Sequence, residues 1–128
     1  MLSTGATGLD DTFNSNPAGC RAALAALARL AKPGGQRVVV TPGMVELGPR
    51  QAEENAAFGA ALAGLATQVI VVGSTNRRAL LAGVSAAGDA PPPVLLVDTR
   101  EQAVAWVRAH TTANDVVLYE NDLPDHYP

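Results

Sequence analysis

The sequence predicts an α/β fold, a three-layer αβα sandwich around a mostly parallel sheet of about five or six strands. Three observations carry this. Short β-branched runs alternate with longer Ala/Leu-rich runs along all 128 residues, the signature of a βα series. The clearest of these runs, Val38-Val39-Val40 and Val69-Ile70-Val71-Val72, are continuous rather than alternating, as in strands covered on both faces. Strands separated by single helices must run mostly parallel, joined by right-handed crossovers. The length fits one domain, spanning 1–128.

The elements follow in order. Gly5 to Leu9 is a short, weak strand that leads into a turn at Asp10-Asp11. Asn16 is placed as an N-cap with Pro17 at the first helical position, where the missing N–H costs nothing. The helix runs to about Ala31, with Leu24, Leu27 and Leu30 as its packing stripe, and Pro33-Gly34-Gly35 stops it. After the strand at Val38 comes a loop, Thr41 to Gly48, and a helix from roughly Arg50 to Leu65. The strand at Val69 ends at Gly73, and Ser74 or Thr75 is expected to cap a helix from about Asn76 to Ala87. A proline-rich loop precedes a strand at Val94 to Val97. Asp98 or Thr99 then caps a helix through about Ala109, and Val116 to Tyr119 forms the last strand. The tail after Tyr119 is polar.

Composition narrows the function classes. Net charge is −3 with no basic stripe, so nucleic acid is excluded as the expected partner. The single cysteine, Cys20, cannot build an internal disulfide or a multi-cysteine metal site, and reads as a small helix-packing residue. No apolar run is long enough to span a bilayer, and Met1 to Gly8 lacks the regions of a signal peptide. A cytoplasmic protein without a membrane partner is expected. His110 and His126 fit no metal spacing and are expected at the surface; Trp106 and Tyr119 are expected in packing. Neither a G-x-G-x-x-G nor a P-loop segment occurs, so the chain carries no self-contained nucleotide site. No catalytic and no metal-binding residue is assigned.

The most informative stretch is Asp10-Asp11-Thr12-Phe13-Asn14-Ser15-Asn16-Pro17. It places carboxylates and amides where a strand end meets a helix N-terminus, the edge at which ligands bind in open α/β sheets. Two readings stand: a well-capped turn, since Asp and Asn are ordinary turn formers, or one wall of a nucleotide or substrate site.

This stretch, followed by Arg21-Ala22-Ala23-Leu24, resembles the D-D-x-Y-N-A-N-P…A-A-L signature that opens the C-terminal domain of Mur ligases. Val39-Val40-Thr41-Pro42-Gly43-Met44-Val45-Glu46-Leu47-Gly48 is similar to a strand followed by G-D-M-x-E-L-G in one branch. That branch adds D-alanyl-D-alanine to the UDP-muramoyl tripeptide. Order and separation of the two signatures match, and the likeness covers most of the chain. Phe13, Ser15, Gly43 and Asn55 stand where the family commonly has tyrosine, alanine, aspartate and histidine. The end after Tyr119 differs most, which points to a Mur-ligase-like subgroup.

The resemblance implies a Rossmann-like domain that closes over a central ATPase domain of the same protein. That central domain would hold the P-loop and the metal ligands, so ATP and Mg2+ belong to the full-length enzyme. The implied substrates are a UDP-muramoyl peptide and an amino-acid or dipeptide acceptor. Asp11, Asn14 and Asn16 would contact the nucleotide, Asp11 at its ribose; Met44 and Glu46 would sit on a substrate-side loop, with a loop brace as their other reading. The chain is expected to be an isolated domain without ligase activity of its own. The alternative is a free-standing α/β binding or regulatory module without catalysis.

Overall fold

The computed structural model describes residues 2–11 and 16–121. The expectations placed on Asn14 and on the tail beyond Asn121, His126 included, lie outside the described residues. Five strands are present among those described: β1 (Thr7–Asp11), β2 (Arg37–Thr41), β3 (Gln68–Val72), β4 (Val94–Val97) and β5 (Val116–Glu120). They form one parallel sheet in the order β1-β5-β2-β3-β4. The helices are α1 (Pro17–Leu30), α2 (Gln51–Ala63), α3 (Arg77–Ala86) and α4 (Arg100–His110). A 3₁₀ turn at Gly48–Arg50 precedes α2.

The strand order dictates the layers. Three connections, β1 to β2, β2 to β3 and β3 to β4, advance in the same direction across the sheet. Right-handed crossovers therefore put α1, α2 and α3 on one face. The last connection returns from the β4 edge to the slot between β1 and β2, so α4 lies on the other face. The core follows this division. Leu24, Leu27, Phe58, Leu62 and Leu80 pack on Val39, Val69, Val71 and Leu118 on one side. Ala103 and Val107 pack on Val38, Val40, Ile70 and Val117 on the other.

Several boundaries differ from the sequence expectation. β1 runs two residues further, so Asp10 and Asp11 are strand residues rather than a turn, opposite Tyr119 and Glu120 of β5. The cause is a long-range parallel pairing, which local polarity does not encode. In α1 the stripe is Cys20, Ala23, Leu24 and Leu27, whereas Leu30 is 44% exposed because it lies past the edge of the covered face. Asn76, not Ser74 or Thr75, occupies the N-cap position of α3, and its side chain makes no cap bond. Thr99 does cap α4, in a reciprocal capping box with Gln102. Trp106 is half-buried and stacks on the exposed His110 at 4.3 Å between ring centroids.

α2 and α3 cross at a point where only glycine fits. A Cβ on Gly83 would stand 1.9 Å from the Ala56 carbonyl oxygen, and one on Gly59 would stand 2.4 Å from that of Leu80. Alanine is the better helix former by about 1 kcal/mol, yet neither contact is with a flexible side chain that can move aside. Overpacking against backbone outweighs propensity here. Gly83→Ala is expected to lower stability by about 1–3 kcal/mol in denaturant unfolding; an unchanged or raised midpoint would show that the two helices can separate freely.

Candidate functional site

The carboxyl ends of β1, β5 and β2 lie side by side and carry the two stretches that the sequence singles out. Asp11 closes β1, Glu120 closes β5 and Thr41 closes β2. Because β5 is inserted between β1 and β2, the residue after it, Asn121, stands between the two stretches. Its backbone N–H donates to the Asp11 carbonyl at 3.1 Å. Its side-chain Nδ2 donates to the Gly43 carbonyl at 2.7 Å. Asn121 is buried at φ 63, a left-handed conformation that asparagine tolerates better than most residues.

The loop after β2 is held from all sides by side chains. The Pro42 carbonyl accepts from Asn76 Nδ2 at 3.0 Å, and the Met44 carbonyl from Asn55 Nδ2 at 2.9 Å. The Gly43 N–H donates to Thr41 Oγ1 at 2.9 Å, and the Met44 N–H to Asn55 Oδ1 at 2.8 Å. With Asn121 on the Gly43 carbonyl, every main-chain polar group of residues 42–44 has a partner, as buried backbone requires. Asn55 Nδ2 also reaches the Gln51 carbonyl and Asn76 Oδ1. Gly43 is at φ 81, and a Cβ there would stand 2.6 Å from Asn55 Oδ1 and 2.8 Å from Asn76. Glycine is needed on both counts.

The expected site residues divide accordingly. Met44 is 1% exposed and its side chain belongs to the core, so it braces the loop. Glu46 is exposed, at φ 64, on the same loop. A non-glycine residue in that conformation carries a strain cost, and such residues concentrate at functional sites. Asn16 caps α1, its Oδ1 accepting from the Gly19 N–H at 2.8 Å. Asp10 and Asp11 line the mouth of a cleft of about 240 Å³ between the β1 edge and α1, whose wall is Leu9, Ala22 and Ala26. Asn55, Asn76 and Asn121 had no assigned role in the sequence. Three asparagines following a helix turn, a strand or a loop carry no common spacing that would have joined them.

Electrostatics at the β5 end are unusual. Glu120 is fully buried, and the Cys20 thiol donates to its Oε1 at 2.9 Å. Among the described residues Oε2 has no hydrogen-bond partner. Burial pushes the carboxyl up to about 7; Asp11 beside it adds to the shift, and the Cys20 hydrogen bond opposes it. The thiol is pushed up as well, by its burial first and then by the bond to Glu120. Such a cysteine is a poor nucleophile. Among the described residues no group of three His, Cys, Asp or Glu side chains is placed to hold a metal ion. No described helix is long and apolar enough to cross a membrane.

The Glu120 shift has a pH consequence. Unfolded, the carboxyl ionises near 4.5; folded, it keeps its proton up to about 7. Its contribution to stability is therefore full below 4.5 and is lost as pH rises through 7. At about 1.4 kcal/mol per pH unit the loss is at most on the order of 3 kcal/mol. Glu120→Gln keeps an acceptor for Cys20 and removes the titration. Unfolding curves between pH 4.5 and 7.5 should fall more steeply for the native protein than for the variant; parallel curves would refute the assignment.

Comparison with known proteins agrees with this architecture. The sequence profile of the Mur ligase, glutamate ligase domain matches residues 2–119. No curated protein sequence matches the chain. Among solved structures, the chain is similar to MurF ligase from Thermotoga maritima in complex with ADP, with TM-score 0.75 and 22% identity over 95% of this chain. It is also similar to MurF from Acinetobacter baumannii, with TM-score 0.67 and 22% identity over 94% of this chain. At that identity the two structures bear on the fold, and the chain spans 26% of the length of each. The match of the family profile over nearly the whole chain, on a five-stranded parallel sheet with Asp11 and the Thr41 to Gly48 loop at its carboxyl edge, makes this chain a member of the Mur ligase C-terminal domain family.

Proposed function

We propose that the chain is the C-terminal domain of an ATP-dependent ligase that forms an amide bond in peptidoglycan precursor synthesis. It would close over the nucleotide and help position the amine acceptor. The observation that carries the reading is that Asp11 at the end of β1 and the loop after β2 lie on either side of the β5 end and are bridged by Asn121. The ADP present in the Thermotoga maritima MurF structure supports a nucleotide for the family.

The described residues suit part of a nucleotide site. A carboxylate at a strand end, Asp11, has the chemistry to accept hydrogen bonds from ribose hydroxyls. The sequence has no glycine-rich phosphate loop, and the described carboxylates form no metal cage. Phosphates and Mg2+ therefore belong to the central ATPase domain in this reading. ATP supplies the activation of a substrate carboxylate; this domain orients and encloses. Asn14 and Asn16 belong to the nucleotide side, and Glu46 to the acceptor side, with Met44 anchoring the loop beneath it. The substrates are a UDP-muramoyl peptide and an amino-acid or dipeptide amine. The reading implies a cytoplasmic reaction, where ATP is available. Positioning in a closed cleft is the main contribution open to such a domain.

The test is ligation by the full-length protein with ATP, UDP-muramoyl tripeptide and D-alanyl-D-alanine. Asp11→Ala is expected to raise the KM for ATP by roughly 10- to 100-fold, the worth of a charge-assisted hydrogen bond. An unchanged KM for ATP would remove Asp11 from the nucleotide site. Absence of ligation by the unaltered protein would count against the ligase reading.

A further inference from the structure

We propose that Asn121 and Asn55 are positioning residues: Asn121 locks the Gly43–Glu46 loop to the Asp11 strand end and Asn55 locks it to α2, so that loop and strand end move as one body. This rests on the ligase reading for its functional consequence, though the clamp itself rests on geometry alone.

The argument starts from topology. Consecutive strands β1 and β2 are not neighbours; β5, the last strand in the chain, separates them. The end of β1 at Asp11 and the end of β2 at Thr41 thus have no direct ladder between them. Asn121 supplies the link with one residue, donating from its backbone to Asp11 and from its side chain to Gly43. Asn121 makes both bonds with its backbone at φ 63. Asn55 performs the complementary task from α2. It takes the Met44 N–H and gives to the Met44 carbonyl, an amide pairing with one peptide group that fixes the loop's register as well as its distance. It also joins Asn76, which holds Pro42.

The second observation is the distribution of strain. Among the described residues, the non-glycine positions with positive φ are Glu46 and Asn121. One is the clamp and the other is the exposed residue of the clamped loop. Met44 and Val45 are buried, so they fasten the loop into the core and leave Glu46 as its outward group. A strained backbone persists only where its surroundings over-determine it. The amide bonds on residues 42–44 provide that over-determination two to four residues upstream of Glu46.

Such a clamp is separable from bulk stability. Asn121→Gly keeps the left-handed backbone without steric cost and keeps the N–H to Asp11; it removes only the bond to Gly43. In the full-length protein, amide hydrogen exchange of residues 43–47 is expected to rise on the order of tenfold, the worth of one buried hydrogen bond. Strands β2 and β5 should stay protected. Ligation kinetics should show KM for ATP and for the acceptor raised on the order of tenfold, with kcat within about twofold. A merely structural role would lower the active fraction, hence the apparent kcat, and leave KM alone; that outcome overturns the proposal. Unchanged exchange across residues 43–47 overturns it too. Asn55→Asp gives the second arm. It is isosteric, but it turns an oxygen towards the Met44 and Gln51 carbonyls and Asn76 Oδ1, so exchange at Met44 should rise further. If the unaltered protein shows no ligation, the ligase reading fails and the exchange comparison decides the clamp by itself.

Discussion

The structure turns on the seat of Gly43. Its backbone is held at φ 81 between Asn55 and Asn76 on one side and Asn121 on the other. Four segments meet there: the β2 loop, α2, the start of α3 and the end of β5. No hydrophobic contact could fix this junction, because the groups to be matched are peptide carbonyls and N–H groups turned out of the ladder. Buried amides match them without introducing charge. A network of this kind rigidifies when complete, and it is costly when one member is missing. Each asparagine therefore depends on the others, and the loop conformation depends on all of them.

A few ångströms along the same sheet edge, a different solution appears. Asp11 and Glu120 end neighbouring strands in register, and both belong to the face covered by α1. Two carboxylates on one low-dielectric face cannot both ionise cheaply. Burial first, with Asp11 adding to it, keeps the proton on Glu120 up to about 7 against the opposing bond from Cys20. Asp11 lines the cleft beside α1. The amide half of the edge is built for rigidity and the carboxylate half for a tunable charge. Asn121 is the residue common to both, since its backbone touches Asp11 and its side chain touches Gly43. A ligand lying across the edge would meet a fixed loop on one side and an ionisable wall on the other.

Much of this was legible in the sequence. The α/β class, the four helices and five strands, and the placement of both signature stretches at strand ends all follow from periodicity and punctuation. Asn16 and Thr99 were readable as caps because capping is local. Asp10 and Asp11 were misplaced as a turn because their strand conformation is imposed by β5, more than a hundred residues away. Leu30 was misread because a three-residue spacing does not say where the covered face ends. Asn76 reads in the sequence as the first residue of a helix, but it holds the N-cap position and the loop from another strand claims its side chain. Asn55 and Asn121 were visible only as a departure from the family pattern and as the start of a polar tail.

What the sequence by itself determined are the local and periodic features: which segments are strand or helix, where helices begin, which glycines break them, and which residues carry the family likeness. The tertiary structure alone decided the strand order, and with it everything at the carboxyl edge. By inserting β5 between β1 and β2 it made Asn121 the bridge, paired Glu120 with Asp11 and brought Cys20 against Glu120. The physical reason is that these contacts join residues about 80 to 110 positions apart. No periodicity or spacing records such pairs. They form only once the hydrophobic faces of the sheet have chosen their partners.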